Sequence, residues 1–367
     1  MSMTQEIFPP GEFLLEELET RGWSQIELSE IMGRSTNVIS GIITGKRQIT
    51  PDTAIQLGDA LGTGAEVWMN LESQYQLSKV KKPDNLVVRK AYLYEKFPVR
   101  EMIKRGWVEA SDNIDVFEQQ FIKFFNIPDL KTPPSFNVAA KKSNETNDLS
   151  IQQLAWLNRC KAIATSQLTK GYKESELRNA LPKLNALLSA PEEARHVSKI
   201  LSDCGVKYVI VEPLPGSKID GACFWLENSQ PVIAMSLRLD KIDNFWFVLR
   251  HEIEHVLHGH GKKIGYIIDN DDSFSPNNVI DEENIANLAA ADFCVPNAEL
   301  SNFVARVSPF FSEQKIILFS ERIGVHPGVV VGQLQRKLDR YDFLRKHLVK
   351  IRNFVISGAM TDGWGFL

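Results

Sequence analysis

The stretch DNFWFVLRHEIEHVLHGH, residues 243–260, decides how this chain is read. Phe245, Leu249, Ile253, Val256 and Leu257 recur close to helical spacing, so the segment is expected to be an amphipathic helix capped by Asp243 or Asp240. On such a helix His251 and His255, four positions apart, project from one face and can bind one metal ion, with Glu252 beside them. The pattern is HExxH.

A catalytic zinc ion needs three protein ligands and one open position, so a further donor is expected downstream. The segment DEENIANLAAADFCVP, 281–296, supplies it. As a helix it sets Glu283 and Asn287 one turn apart, with Ala286, Ala289 and Ala290 as a small-residue surface that allows close approach to the first helix. Glu283 is read as the third ligand and Glu282 as the alternative donor. His258 and His260 are read as capping or outer hydrogen-bonding groups rather than ligands. Tyr266 is expected to pack rather than to steady an oxyanion.

Upstream, VKYVIVEPL (206–214), GACFWL (221–226) and PVIAMS (231–236) read as strands, the last two joined by the polar turn ENSQ, and the three are expected to form a small antiparallel sheet. The segments KIDGACFWL, PVIAMSLRLDKIDNFWFVLRHEIEHVLHGH and ENIANLAAADFCVP together resemble the ImmA/IrrE metallopeptidase family over about 190–300. In that family HExxH is joined to a glutamate shortly before an Ala-Asn pair. The resemblance implies His251, His255 and Glu283 as zinc ligands and Glu252 as general base; Cys294 stands where an aliphatic residue is common. The expected chemistry is hydrolysis of a peptide bond by zinc-activated water, with Glu252 relaying the proton and the substrate lying extended along the edge of the strand VIAMS.

The first 80 residues read differently. Five short helices are expected over 11–71, the second capped by Ser24 with Glu27 three residues on, and Pro51 opening the fourth. Gly33 turns the chain between the second and third helices, a helix-turn-helix order. In that motif the second helix of the pair enters the major groove, which selects Ser35, Thr36, Asn37 and Ser40 for base edges, and Lys46 and Arg47 for phosphates. The stretch from Pro9 to Leu77, through PGEFL, WSQ, GKRQIT and AEVWMNLE, resembles the Xre-type DNA-binding domain of the HigA antitoxin family. It departs from the family where Thr36 and Gly41 replace arginine and Arg34 replaces a small apolar residue. A second reading of this module is dimerisation or partner docking.

Bulk properties bound the rest. At 367 residues the chain exceeds one core. Its 43% hydrophobic and 24% charged composition is that of globular domains. Cys160, Cys204, Cys223 and Cys294 form no CxxC pair, which fits a reducing compartment and a cytoplasmic location. No leader and no apolar run long enough for a bilayer are read, so no membrane association is expected. Net charge is −4, and residues 1–80 carry 5 basic against 11 acidic side chains, a sign that opposes non-specific DNA affinity. The stretch after residue 81 has a basic surplus, with Arg89, Lys90, Arg100, Lys104 and Arg105 among Tyr92, Tyr94 and Trp107, read first as exposed helix surface and second as a nucleic-acid contact. TPPSFNVAAKKSNETND, 132–148, is the expected long loop.

The expected fold is mainly α with a small antiparallel β-sheet (α+β), organised as a helix-turn-helix domain (1–80), a helical middle region (81–190), a zincin-like metallopeptidase domain (191–300) and a helical C-terminal cap (301–367). The function so read is a cytosolic, site-specific zinc metalloprotease that regulates transcription by cleaving a repressor or antitoxin-like protein. Residues 24–47 would contact double-stranded DNA or that partner, and a homodimer is possible on this reading. The alternative is a non-enzymatic DNA-binding regulator whose zinc domain senses a ligand or stabilises the fold.

Overall fold

The computed structural model describes residues 7–80, 85–136, 149–227, 229–260, 262, 266–270 and 277–365. Asn228 of the turn ENSQ and most of the loop TPPSFNVAAKKSNETND lie outside the described residues, as does the side chain of Tyr266. The chain divides into two compact units, 1–88 and 89–367.

The first unit holds α1 (Pro10–Arg21), α2 (Gln25–Ile31), α3 (Thr36–Ile43), α4 (Pro51–Leu61) and α5 (Ala65–Lys79). Ser24 accepts from the Glu27 backbone N–H while the Glu27 carboxylate accepts from the Ser24 backbone, so both orphan donors are satisfied and the turn before α2 is fixed. A cap of this kind stabilises by about 1 kcal/mol. Leu14, Leu28, Ile39, Leu57 and Trp68 form the buried centre. Trp68 Nε1 donates to Thr63 Oγ1 at 2.8 Å, which ties the start of α5 to the preceding turn.

Helix α6 (Leu86–Lys96) spans the division, and the second unit continues with α7 (Val99–Lys104), α8 (Ile114–Phe125), α9 (Ile151–Ser166), α10 (Glu174–Ala186) and α11 (Val197–Asp203). Strands β1 (Lys207–Val211), β2 (Ile219–Leu226) and β3 (Gln230–Met235) come next, followed by α12 (Ile242–Leu257), β4 (Tyr266–Asn270) and α13 (Asn277–Cys294). The chain closes with α14 (Asn297–Val307), α15 (Glu313–Ile323), α16 (Pro327–Leu338), α17 (Arg352–Ile356) and β5 (Met360–Asp362).

The fold is α+β, and the sheet is mixed rather than purely antiparallel. Its order is β4-β2-β3-β1-β5, with β2 antiparallel to β3 and β4, and β1 parallel to β3 and β5. The hairpin from β2 returns β3 into the place beside β1, and that contact is parallel because β1 and β3 run the same way. Two expectations are corrected here. The edge of VIAMS is not open to a substrate, since β3 is paired on both sides. The C-terminal stretch is not wholly helical, since β5 adds to β1 at the sheet's margin.

Strands β1, β2 and β3 are buried on both faces. Tyr208, Ile210, Cys223, Trp225 and Ile233 pack with α12 and its neighbours, whereas Val209, Val211, Phe224, Val232 and Ala234 pack with α8 and α9. This alternation is the period-two geometry of a strand sandwiched between helical layers. Asp362 on β5 is buried, pairs with Arg159 and accepts from Trp107 Nε1 at 3.0 Å, so the last strand is tied to the helices of the middle region.

The cap of α12 also differs from expectation. Its N-cap is Lys241, with no side-chain hydrogen bond. Asp240 instead accepts from the backbone N–H groups of Ile351 and Arg352 at 3.0 and 2.8 Å. Asp243 packs against α16, where a Cβ on Gly332 would fall 2.3 Å from the Asp243 Cβ. Both carboxylates serve long-range packing, and the helix start goes without them.

Candidate metal centre

Helix α12 is almost entirely buried, and His251, Glu252 and His255 are each 0% exposed. α13 packs along it, and the inward Ala286 and Ala290 are both buried with no bulk to hold the helices apart. This close approach brings Glu283 to the two histidines. The Nε2 atoms of His251 and His255 are 2.9 Å apart; Glu283 Oε2 lies 3.2 Å from the first and Oε1 3.4 Å from the second. For metal–ligand bonds of about 2.05 Å, the edge of a tetrahedron is about 3.3 Å, so the spacing of this donor set fits a zinc-sized ion. Among the described residues this is the group of histidine and carboxylate donors that converges on one point. Glu282 is on its outer side, its carboxylate 3.8 Å from His260 Nδ1.

The rings are held from behind. His251 Nδ1 faces Asn287 Oδ1 at 3.2 Å; the carboxamide oxygen accepts, so Nδ1 carries the proton and Nε2 turns its lone pair to the site. His255 Nδ1 stands 2.9 Å from His260 Nδ1, and the His260 carbonyl accepts from Trp225 Nε1 at 2.9 Å, which fixes that loop to β2. His258 turns away to Glu254 Oε1 at 3.0 Å, and Glu254 also pairs with Arg250 at 2.6 Å. The reading of His258 and His260 as outer groups thus divides into two different partners. Burial pushes the His255 imidazole below its ordinary value, with Glu283 opposing and His251 adding to the shift. Burial alone would raise Glu283, but its hydrogen bonds to His251 and His255 outweigh that and hold it at about 2.

Glu252 lies under β2 at Gly221. A Cβ there would fall 2.5 Å from Glu252 Oε1 and 2.8 Å from Val248 Cγ1, so only glycine leaves room for the carboxylate. Sequence reasoning did not single out Gly221; a glycine inside an otherwise bulky strand is the signal that marks such close approach. Asn287 was noticed for its spacing and not for its hold on His251.

In the first unit, Ser35 and Asn37 are exposed at the start of α3, as are Lys46 and Arg47 beyond its end. Thr36 is turned inward, its Oγ1 3.2 Å from Ser29 Oγ, and Ser40 is half-buried with its carbonyl accepting from Thr44 Oγ1. The Arg47 side chain lies across α3, because a Cβ on Gly41 would meet its Cδ and Cγ at 3.0 Å. Arg34 is taken up by Asp52 and Gln56. Of the basic stretch after residue 81, Arg89 pairs with Asp115 and Glu118, Arg105 donates to the carbonyls of Glu212 and Pro213, and Trp107 is buried, whereas Tyr94, Arg100 and Lys104 are exposed.

Comparison with known proteins divides the chain in the same way. Residues 14–68 match the helix-turn-helix family and residues 206–330 match the IrrE N-terminal-like domain. The uncharacterised HTH-type transcriptional regulator YddM of Escherichia coli (strain K12) is 30% identical over 73 residues, 20% of this chain and 78% of the relative. Virulence-associated protein I of Dichelobacter nodosus is 38% identical over 69 residues, covering 18% of this chain and 64% of that protein. Among solved structures, an addiction module antidote protein of the HigA family from Coxiella burnetii is 29% identical and matches 29% of this chain and 98% of its own, with a TM-score of 0.19. The Pseudomonas aeruginosa antitoxin HigA with the higBA promoter is 30% identical and matches 26% and 99%, with a TM-score of 0.20. No helix among the described residues is long and apolar enough to cross a membrane.

Proposed function

For a chain that belongs to the helix-turn-helix family through its first domain and carries an IrrE N-terminal-like domain of the M78 peptidase class, we propose a transcriptional regulator that acts as a zinc metalloendopeptidase, its substrate a repressor or antitoxin-like protein. The observation that carries this reading is the donor triangle of His251, His255 and Glu283, with edges of 2.9, 3.2 and 3.4 Å, directly beside the buried carboxylate of Glu252. A purely structural zinc site fills its positions with four protein ligands and has no use for an adjacent base.

In the mechanism, His251, His255 and Glu283 would hold the ion, with Asn287 and His260 keeping the two imidazoles in the tautomer that offers Nε2. A bound zinc ion supplies Lewis acidity that brings deprotonation of water into the neutral range. Glu252 takes a proton from the attacking water on a carboxylate oxygen and passes it to the amine that leaves. Its 0% exposure keeps bulk water from competing for that proton. The helix-turn-helix domain binds DNA in this reading, with Ser35, Asn37 and Ser40 toward the groove and Lys46 and Arg47 toward phosphates; the regulator named among the relatives supports that assignment.

The test is substitution of Glu252→Gln in the zinc-loaded chain, incubated with a helix-turn-helix repressor encoded in a neighbouring reading frame. Zinc content measured by atomic spectroscopy is expected to stay at one per chain while cleavage falls at least a hundredfold. Cleavage by the variant at the parent rate would overturn the role given to Glu252.

A further inference from the structure

The C-terminal part of the second unit carries a cleft that the metal centre does not use. It lies between the turn joining α14 to α15, with Phe310 and Phe311, and the end of α16 with the residues after it, Leu338, Arg340 and Phe343. Its volume is about 390 Å³, within the range of ligand-binding clefts. Both walls are fixed. On one side the Phe310 backbone N–H donates to the Val307 carbonyl at 2.9 Å, and the Phe310 carbonyl accepts from Lys315 Nζ at 3.4 Å. On the other, the Phe343 carbonyl accepts from Gln335 Nε2 at 2.7 Å. The Phe311 ring joins the two walls, 6.4 Å from the buried Phe303 and 6.1 Å from Phe343.

Phe310 is nevertheless 78% exposed. A ring left in water on a backbone held at both ends gains apolar burial when something covers it, and has little chain freedom left to lose. The charge around it has one sign. Residues 301–367 carry 10 basic against 5 acidic side chains, opposite in balance to the chain as a whole. At the cleft, Arg340 pairs with Asp342 only between two well-exposed side chains, a contact worth little, and Lys315 has no carboxylate partner among the described residues. Glu313, the first residue of α15, is taken up by Lys346. The rings are already covered on one side: Arg340 lies over Phe343 at 5.5 Å, and Phe311 packs with Phe303 and Phe343. Nucleobases bind by stacking on open aromatic faces, so this well suits an apolar side chain with acidic neighbours better than a nucleic acid strand.

We propose that this cleft docks an acidic segment of a partner protein, its leucine or phenylalanine side chains seated against Phe310, Phe311 and Phe343 and its carboxylates facing Arg340 and Lys315. Aromatic anchors inside a charged rim are the arrangement that gives protein interfaces their affinity and their choice of partner. The cleft sits at the end of α16, which packs on α12 at Gly332 and Asp243, so a docked partner is held at a fixed distance from the metal helix. That the partner is also the substrate rests on the peptidase reading; the binding itself does not.

The experiment measures fluorescence anisotropy of labelled dodecapeptides on the zinc-loaded Glu252→Gln chain, a form chosen so that cutting does not enter. The first probe sets a Leu-Phe pair among Glu and Asp, the second replaces that pair by Ser-Ser, and the third keeps it among Lys. The first is expected to bind about tenfold tighter than either of the others and to weaken as salt rises. Phe310→Ser and Arg340→Glu, both at exposed positions that folding does not need, are each expected to lower that affinity about tenfold at an unchanged melting temperature. Leu168→Ser, at a 98% exposed leucine outside the cleft, is expected to leave it as it was. The proposal fails if the acidic probe binds no better than the lysine probe, or if its affinity survives both cleft variants. It fails equally if labelled oligo-dT binds through the same two residues in its place, or if the chain is a dimer that Phe310→Ser dissociates, since a second copy then covers the cleft. For a repressor that the parent cuts, Phe310→Ser is expected to raise KM about tenfold at unchanged kcat and zinc content. Peptide binding by a chain whose parent cuts nothing would sink the peptidase reading and leave the cleft standing; cutting with a KM that Phe310→Ser does not move would do the reverse.

Discussion

Asn287 is where a single side chain has the most leverage over the proposed metal centre. It sits one turn beyond Glu283 on α13, so the same helix delivers one proposed ligand and the group that faces another, His251. Removing a hydrogen-bond partner behind a ligating imidazole typically lowers metal affinity 10–100-fold. Asn287→Ala is therefore expected to weaken zinc binding by about that factor in competition with a chromophoric chelator, and Asn287→Asp, which keeps the acceptor, to restore most of it. Equal affinities for the parent and the alanine variant would show that His251 is oriented by something else. That His251 and His255 share a face was legible in the sequence, since a four-residue spacing on a helix fixes which face two side chains share. Gly221 was not, because its purpose is to stay out of the way of Glu252, and that relation joins a strand to a helix 31 positions later by packing alone.

At the scale of elements, the recognition helix α3 has an unusual surface. It carries no basic residue of its own, and Gly41 lets the Arg47 side chain lie across it. The guanidinium stem replaces, from the following turn, charge that the helix lacks. Gly41→Ala would push that stem by a few tenths of an ångström at least, while the helix itself gains about 0.5–1 kcal/mol from losing a glycine. The expected result is a melting temperature that is unchanged or raised, together with weaker binding to the chain's own upstream DNA in a mobility-shift assay. Arg47→Ala is expected to reduce the salt slope by about one as a phosphate contact is lost. Unchanged affinity and slope in both variants would remove Arg47 from the interface. The position of α3 was readable from Ser24, Gly33 and Pro51, each a local stop or start signal. The inward turn of Thr36 toward Ser29 was not, because it depends on how α2 and α3 cross.

For the whole molecule, burial of β1 on both faces is already written in its composition. VKYVIV is continuous rather than alternating, the pattern of a strand covered by helices on each side. That pattern calls for helices on both faces of the sheet, and the second face is covered by α8 and α9. The pairing order could not be had the same way, because β5 comes from the far end of the chain.

Those two covered faces give the second unit a distinctive response to alkali. Burial raises the thiols of Cys160 and Cys223 well above the usual range and that of Cys294 to about 12; the phenol of the half-buried Tyr172 also rises to about 12, and that of Tyr208 further. In each case the folded state holds its proton more tightly than the unfolded chain does. The stabilisation is therefore complete below the unfolded values of about 8.5 for thiols and about 10 for tyrosine, and is lost as pH rises above them. Three fully buried thiols set a limit of roughly 4 kcal/mol lost per pH unit once the unfolded thiols ionise. Lys161 and Lys207, whose ammonium groups burial pulls down, act in the opposite sense, but two lysines do not cancel three thiols and two phenols. The first unit has no cysteine and lacks the thiol contribution. Urea unfolding followed by tryptophan fluorescence is thus expected to show a midpoint for the second unit that falls steeply between about pH 8.5 and 10.5, while helix loss from the first unit keeps its midpoint. Replacing Cys160 and Cys294 by alanine should flatten the fall even as it lowers the midpoint at neutral pH through the lost packing. A parent midpoint that stays level across this range would mean that these thiols ionise as readily in the fold as outside it, and that the layers over the sheet admit water.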